Sequence, residues 1–210
     1  MAHSFFTAYQ RATIEAAMAR IIPTDDTPGA REAGCIDFVD RYLSGIEFIF
    51  AKPDGSGFEV LKGRIADAWR RRIEIMRTRY IEGILDLDSR SRKAFSANFA
   101  DLAPEHQDSI LREVEKKSQI KQIAATADGP ALQQTSTEVD LDFFPLLVAH
   151  TRQGFYADPI YGGNRGRIGW QVIGFPGPAS LKEVHEGRYT TLQYFADGEA
   201  EKVREFHDGL

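Results

Sequence analysis

The sequence predicts an all-α protein in which a helical scaffold leads into an irregular segment near the C-terminus. Before residue 150, apolar residues recur every three or four positions, which is the spacing of one helix face. Proline and glycine interrupt this pattern, so several separate helices are expected. Residues 154–177, called here the C-terminal segment, combine seven glycines, two prolines and five aromatic residues. Such a mixture suits neither a helix interior nor a strand, and it predicts an ordered loop.

The first predicted helix begins at a capping box formed by Thr7 and Gln10, in which each side chain bonds to the backbone of the other residue. Ile14 and Met18 follow at helical spacing and predict an inward-facing stripe. Pro23 ends the helix because proline lacks the amide that a continuing helix needs.

A second helix is expected to begin with Thr27 as its N-cap and Pro28 at its first position. It should end near Gly45, since glycine is the usual residue just past a helix. The apolar residues of its inner face are Ile36, Val39 and Leu43.

The longest helical stripe lies between residues 61 and 84. Its apolar positions are Leu61, Ile65, Trp69, Ile73, Met76, Tyr80 and Ile84. Arg70, Arg71 and Arg72 fall within it, and three consecutive positions spread around most of a helix. They therefore favour a solvated face with local salt bridges over a docking surface for an acidic partner.

Two further helices are indicated in the second half of the chain. Pro104 is a natural first residue of a helix, and Asp142 can cap a last long one in which Pro145 occupies the first turn. Residues 125–138 are small and polar, which predicts a linker or loop.

The C-terminal segment reads as a functional loop because its large aromatic side chains gain free energy when they are buried. Gly162, Gly163 and Asn164 can adopt positive φ, and Asn164 can also bond back to the local backbone. Asp158 and Pro159 predict a turn just upstream. A cluster of aromatic turns that only covers the protein's own core is an equally weighted alternative.

The amino-acid composition disfavours some classes of function. The chain has 26 Lys and Arg against 31 Asp and Glu, a net charge of −5, which disfavours a nucleic-acid binder. No apolar run approaches the ~18 residues that a membrane-spanning helix needs. The N-terminus shows no signal peptide, so the protein is expected to be cytoplasmic as written, or periplasmic and associated with the inner membrane if it was trimmed or exported with a partner.

A single domain over residues 1–178 is expected, followed by a charged tail over residues 179–210 that could wrap a partner. Cys35 is the only cysteine, which excludes an intrachain disulfide and a thiolate metal cluster. We expect Cys35 to be a small buried apolar residue.

The motifs of common catalytic sites are missing from the sequence. There is no nucleophile elbow, zinc-protease helix, P-loop or paired-cysteine motif, and the glycines at 163, 166 and 169 lack the dinucleotide-binding spacing. We therefore assign no catalytic, cofactor-binding or metal-binding residue. The alternative is a stand-alone enzyme or ligand-binding protein that uses the C-terminal segment with His150 and Asp158 as its polar groups.

Several motifs resemble one known family. They are Arg20 to Asp26, Gly29 to Gly34, Phe99 to Leu102 with Gln107, Gly154 to Tyr156, Asp158 to Asn164, Gly169 with Trp170, and Gly174 to Gly177. Together they resemble the gluconate 2-dehydrogenase subunit 3 family, the small subunits of membrane-linked, flavin-dependent sugar and sugar-acid dehydrogenases.

The resemblance implies a non-catalytic subunit that supports folding, assembly and export of a large subunit. The large subunit, of the glucose-methanol-choline oxidoreductase type, would hold FAD and oxidise the sugar, and a cytochrome c subunit would pass electrons onward. Family members commonly carry a twin-arginine signal, and the start of this sequence departs from that pattern.

We expect the partner to contact the C-terminal segment, since aromatic side chains and close backbone approach are typical of tight interfaces. The residues expected in this interface are Tyr156, Asp158, Pro159, Tyr161, Gly162, Gly163, Asn164, Trp170, Phe175 and Pro176.

Overall fold

The computed structural model describes residues 4–126 and 138–187, with side chains described for residues 4–118 and 138–187. In these ranges the chain is helical and has no strand, apart from one isolated β-bridge between Ala51 and Phe58. The helices are α1 (Ala8–Ile21), α2 (Cys35–Ser44), α3 (Gly63–Phe95), α4 (Pro104–Thr126), α5 (Phe143–Tyr156), α6 (Ile168–Val172) and α7 (Leu181–His185). The predicted all-α class is confirmed. Of the loop expected at 125–138, the described ends belong to α4 and to a 3-10 turn at Glu138–Asp140, and residues 127–137 lie outside the described residues. Of the tail expected at 179–210, the described part contains α7, and residues 188–210 lie outside the described residues.

Helix α1 begins as its sequence predicts. Thr7 Oγ1 accepts a hydrogen bond from the Gln10 amide at 3.3 Å, and Gln10 Oε1 accepts one from the Thr7 amide at 3.0 Å, which completes the capping box. Ile14 and Met18 are buried in the core. The helix ends at Ile21, just ahead of Pro23.

The prediction for the start of α2 is wrong. The helix begins at Cys35 rather than after Thr27, because the Asp25 carboxylate accepts hydrogen bonds from both the amide and the hydroxyl of Thr27. Tight turns fill the interval, and Gly34 at φ +66° precedes the first helical residue. The predicted inner face, Ile36, Val39 and Leu43, is buried.

Helix α3 is 33 residues long and carries most of its predicted stripe on a buried face. Two positions differ: Leu61 lies ahead of the helix, and Ile65 is 61% exposed because its neighbour Ala66 occupies the buried face of the first turn. Arg70 forms a local ion pair with Asp67, as predicted for a solvated face. Arg72 instead pairs with Glu138, ahead of α5, and so makes a tertiary contact.

Helices α4 and α5 start at the predicted residues. Pro104 is the first residue of α4, and Asp142 takes the N-cap position of α5. The Asp142 side chain does not cap α5, however; it lies 3.7 Å from the Arg79 guanidinium of α3.

The core is formed jointly by the first five helices, and α2 and α5 share the most extensive contact. Gly154 of α5 makes this contact close, because its Cα faces the backbone of Cys35 at the start of α2 with no side chain between them. The largest fully buried side chains are Ile14, Met18, Ile36, Leu43, Ile73, Met76, Tyr80, Leu87, Phe99, Ile110, Leu146 and Phe155.

A buried carboxylate, Asp88 of α3, ties two other elements to this core. It accepts hydrogen bonds from the Phe99 amide at 3.0 Å and from the Tyr9 hydroxyl of α1. Asp88→Ala would leave the buried Phe99 amide without its acceptor, so we expect the free energy of unfolding to fall by about 3 kcal/mol.

The matched control is Asp101→Ala, which removes an exposed carboxylate from the turn that follows Phe99. It should change stability by less than ~0.5 kcal/mol in urea denaturation. Equal losses in the two variants would contradict the structural role of Asp88.

Candidate functional site

The C-terminal segment is more helical than its composition predicts. Its first three residues complete α5, and short 3-10 turns at Pro159–Tyr161 and Arg165–Arg167 lead into α6. The predicted ordered loop therefore contains single helical turns, because the glycines between them allow the chain to reverse after each turn. After α6 the chain is irregular to residue 180.

Asn164 closes the segment on itself. Its side chain is fully buried, its Nδ2 donates to the Ala157 carbonyl at 2.9 Å, and its Oδ1 accepts from the Gly169 amide at 2.8 Å. Its own amide donates to the Gly154 carbonyl at 2.7 Å. The predicted bond from Asn164 back to local backbone is thus present, and it joins the end of α5 to the start of α6.

The glycines of the segment serve turns and close approaches. Gly162 and Asn164 have positive φ, whereas Gly163 between them does not, so the predicted run of consecutive positive values is interrupted. A side chain at Gly163 would overlap the Gly154 carbonyl, and one at Gly169 would overlap the Phe155 carbonyl. These two positions therefore require glycine for space.

The segment also docks onto the start of α2. The Arg165 amide donates to the Ala33 carbonyl at 2.9 Å, and the Arg165 guanidinium pairs with Asp37. Arg41 of α2 donates to the Ile160 carbonyl at 2.8 Å. The two sequence motifs that lie farthest apart in the chain, residues 20–34 and 154–177, therefore meet in the folded protein.

The predicted turn at Asp158 and Pro159 is present. Asp158 Oδ1 accepts a hydrogen bond from the Ile160 amide at 2.9 Å, and Pro159 is the first residue of the 3-10 turn. Tyr161 then places its hydroxyl 3.4 Å from the Ala51 amide.

Trp170 is an internal residue. It is 6% exposed, its Nε1 donates to the Tyr156 carbonyl at 2.7 Å, and Gly177 lies against its ring. Phe175 packs on the ring edge-to-face at 5.3 Å between centroids. Trp170 thus fixes the position of its neighbours and presents almost no surface of its own.

The ten residues expected in an interface fall into three groups by exposure. Gly163, Asn164 and Trp170 are buried, and Tyr156, Phe175 and Pro176 are exposed. The remaining four are half-buried: Asp158, Pro159, Tyr161 and Gly162. The buried group builds the segment, so side-chain contact with another protein is available only to the other two groups.

An open aromatic groove of about 420 Å³ lies beside the segment. It is lined by Phe38, Tyr42, Phe48, Ile49, Gln153, Tyr156, Ala157 and Tyr161. The sequence pattern predicted Tyr156 and Tyr161 but not Phe48, which ends the short 3-10 turn after α2, or Ile49, which follows that turn. Four large apolar residues at 46–50 around a single Glu47 were the available signal.

His150 lies behind this groove and is fully buried. Its Nδ1 lies 2.9 Å from the Tyr80 hydroxyl, and the rings of Phe38 and Tyr42 contact it edge-to-face. Burial lowers the pKa of His150 to about 4, while the nearby Glu138 carboxylate acts in the opposite direction. His150 is therefore neutral and enclosed at neutral pH, and the Asp158 carboxylate is engaged by its own turn.

The described side chains contain no group of three or more His, Cys, Asp or Glu residues arranged to hold a metal ion. Among the described helices, none is both long enough and apolar enough to cross a membrane. Asp40, Asp88 and His150 are buried and each has a hydrogen-bond partner, although Nε2 of His150 is buried without one.

Fold and site together define a small helical protein whose C-terminal segment is closed by its own hydrogen bonds and presents aromatic residues at the surface. The model of the family described as gluconate 2-dehydrogenase subunit 3 matches residues 8–177. The chain belongs to this family, whose name describes one subunit of a dehydrogenase with several subunits. Comparisons with curated proteins and with solved structures give no match.

The close contact between Gly163 and the Gly154 carbonyl leads to a prediction about stability. Gly163→Ala places a methyl group against the Gly154 carbonyl, so the segment must move away and the free energy of unfolding should fall by about 3 kcal/mol. Gly174→Ala is the matched control, because its φ is +67° but no atom lies within 4 Å of an added Cβ. It should cost only about 1 kcal/mol in urea denaturation. Equal losses of stability in the two variants would show that Gly163 does not lie against the Gly154 carbonyl.

The burial of His150 predicts how the stability of the protein depends on pH. The unfolded side chain has a pKa near 6.5 and the folded one about 4, so the unfolded state binds more protons between these values. The free energy of unfolding should therefore fall as the pH decreases from about 6.5 towards 4, by at most ~1.4 kcal/mol per pH unit. Glu138 and Arg72 carry the charges next to this cluster.

His150→Gln cannot titrate and retains a hydrogen-bonding group for Tyr80. Urea denaturation between pH 5 and 7 should therefore give a flatter profile for this variant than for the wild type. Parallel profiles would show that His150 does not cause the loss.

Proposed function

We propose that this chain is the non-catalytic small subunit of a flavin-dependent sugar or sugar-acid dehydrogenase and that it supports the folding and stability of an FAD-carrying large subunit. The observation that carries the proposal is the family match over residues 8–177. In this proposal FAD and the oxidation chemistry belong to the large subunit, of the glucose-methanol-choline type. A cytochrome c subunit is the proposed electron acceptor, and export with the large subunit is a further proposed role.

The geometry supports a structural role. Side chains that could act as acids or bases are used to hold the fold: His150 lies under an aromatic layer, and Asp158 caps a turn. A catalytic base must reach a substrate proton, directly or through one water molecule. A fully buried imidazole with a pKa of about 4 does not meet this requirement.

The surface of the C-terminal segment supports contact with a partner. Tyr156 is 41% exposed and Phe175 is 38% exposed, although tyrosine and phenylalanine both gain free energy by burial. Exposed aromatic residues on a rigid support are typical of the centre of a protein interface. Here Asn164 and Trp170 provide the support.

The aromatic groove favours the alternative, a stand-alone protein that binds a small apolar molecule. A pocket of this size with few polar groups is suited to such a ligand. The two functions differ in what accompanies the purified chain.

The test is to express the tagged chain with and without the proteins encoded beside it and to record an absorption spectrum of the eluate. We expect a co-purifying protein with flavin bands that reduces a dye when sugars are added. A colourless, stable monomer that takes no partner would contradict the subunit role and favour the ligand-binding alternative.

Two substitutions distinguish a residue that supports the segment from one that contacts the partner: Trp170→Ala and Tyr156→Ala. Trp170→Ala should lower the stability of the isolated chain by about 3–5 kcal/mol, because it removes a buried aromatic side chain. Tyr156→Ala should leave that stability nearly unchanged and weaken capture of the large subunit by about 10-fold. If both variants capture the large subunit as well as the wild type does, the interface does not lie at this segment.

A further inference from the structure

A second regular pattern runs along the exposed side of α3. Eight exposed residues, called here the α3 seam, follow one another at alternating intervals of four and three positions. They are Arg64, Ala68, Arg71, Ile75, Thr78, Glu82, Leu85 and Ser89. At 3.6 residues per turn they fall within about 100° of the helix circumference. Intervals that repeat every seven residues keep one helix face in continuous contact with a second helix.

The α3 seam includes apolar side chains that the protein's own core does not cover. Ile75 is 46% exposed and Leu85 is 60% exposed, whereas their neighbours Met76 and Ile84 are buried in the core. Single exposed apolar residues are common on protein surfaces, so these two do not identify a partner by themselves. The charged residues of the seam provide that information.

The charged residues of the α3 seam have no ion-pair partner within the described chain. Most other charged side chains of α3 do have one: Asp67 pairs with Arg70, Arg72 with Glu138, Glu74 with Arg77, Arg79 with Asp142, and Asp86 with Arg90 and Lys117. By contrast, Arg64, Arg71 and Glu82 form no ion pair among the described residues. Arg71 and Glu82 lie about 16 Å apart along the helix axis, so they cannot pair with each other.

The order of these charges fits a second copy of α3 that runs antiparallel to the first. In a parallel pair each residue meets its own counterpart, so Arg71 would face Arg71 and Glu82 would face Glu82. Like charges across an interface are unfavourable, and opposite charges favour association. An antiparallel pair avoids both clashes.

One antiparallel register brings all eight seam residues together. It sets Arg71 of each copy opposite Glu82 of the other, which gives two pairs of opposite charge. The same register sets the small Ala68 opposite the large Leu85. A shift of seven residues in either direction separates Arg71 from Glu82 and leaves two of the eight residues without a seam residue opposite.

We propose that the α3 seam is an interface between two copies of this chain, packed antiparallel about a two-fold axis between Ile75 and Thr78. A two-fold interface must be complementary to itself, and the order of the seam residues meets that requirement. Because the seam is small and only partly apolar, the dimer is reversible and dissociates on dilution. The inference goes beyond the proposed function and does not depend on it. No residue of the C-terminal segment belongs to the seam, so that segment stays available to a different partner.

The experiment measures self-association of the full chain alone by sedimentation equilibrium over a range of concentrations. The wild type should approach twice the mass of one chain as its concentration rises. Arg71→Glu and Glu82→Arg should each raise the dissociation constant at least 10-fold, because each change sets like charges opposite each other. The two changes combined restore opposite charges, so the double variant should return to within about 3-fold of the wild type.

The matched control is Arg152→Glu, which makes the same change of charge at an exposed arginine of α5. It should dimerise like the wild type, and thermal unfolding should confirm that all the variants are folded. A wild-type chain that stays monomeric up to about 1 mM would overturn the inference. Equal weakening by Arg152→Glu would attribute the effect to net charge. A double variant as weak as the single ones would contradict the antiparallel register.

Discussion

The C-terminal half of the structure depends on the hydrogen bonds that the buried residue Asn164 makes. Through its side chain and its own backbone it makes three hydrogen bonds, to the carbonyls of Gly154 and Ala157 and from the amide of Gly169. Each of these groups would otherwise be buried or nearly buried without a partner, at a cost of about 1–3 kcal/mol. A single polar side chain thus allows an irregular backbone to pack against helices.

This closure connects the fold to the proposed function. The helices supply a rigid base because Gly154 lets α5 approach Cys35 of α2 closely, and Arg165 then joins the segment to Ala33. With Asn164 and Trp170 inside, the residues left outside include the large apolar side chains of Tyr156, Val172, Ile173 and Phe175. A surface of this kind costs solubility unless a partner covers it, which agrees with the role of a subunit.

Local signals in the sequence predicted much of the fold. The capping box of α1 and Pro104 at the start of α4 are set by neighbouring residues, so they could be recognised without tertiary information. The start of α2 could not, because Asp25 competes for the Thr27 hydroxyl. Within the site, composition indicated the importance of residues 154–177 but not which side chains face inward. Which side chains face inward depends on helix packing, as the buried Trp170 and the exposed Ile173 show.

Amide hydrogen exchange on the full chain, alone and bound to the flavin-carrying subunit that we propose as its partner, tests most directly whether the C-terminal segment is formed in advance and then covered. The segment is already formed in the free chain, and we propose that the partner covers it. The Asn164, Gly169 and Phe175 amides donate hydrogen bonds within the chain, so they should be protected in the free chain, and exchange of the segment's amides should slow further in the complex. Rapid exchange at Asn164 in the free chain, or protection on binding only along α3, would contradict the account.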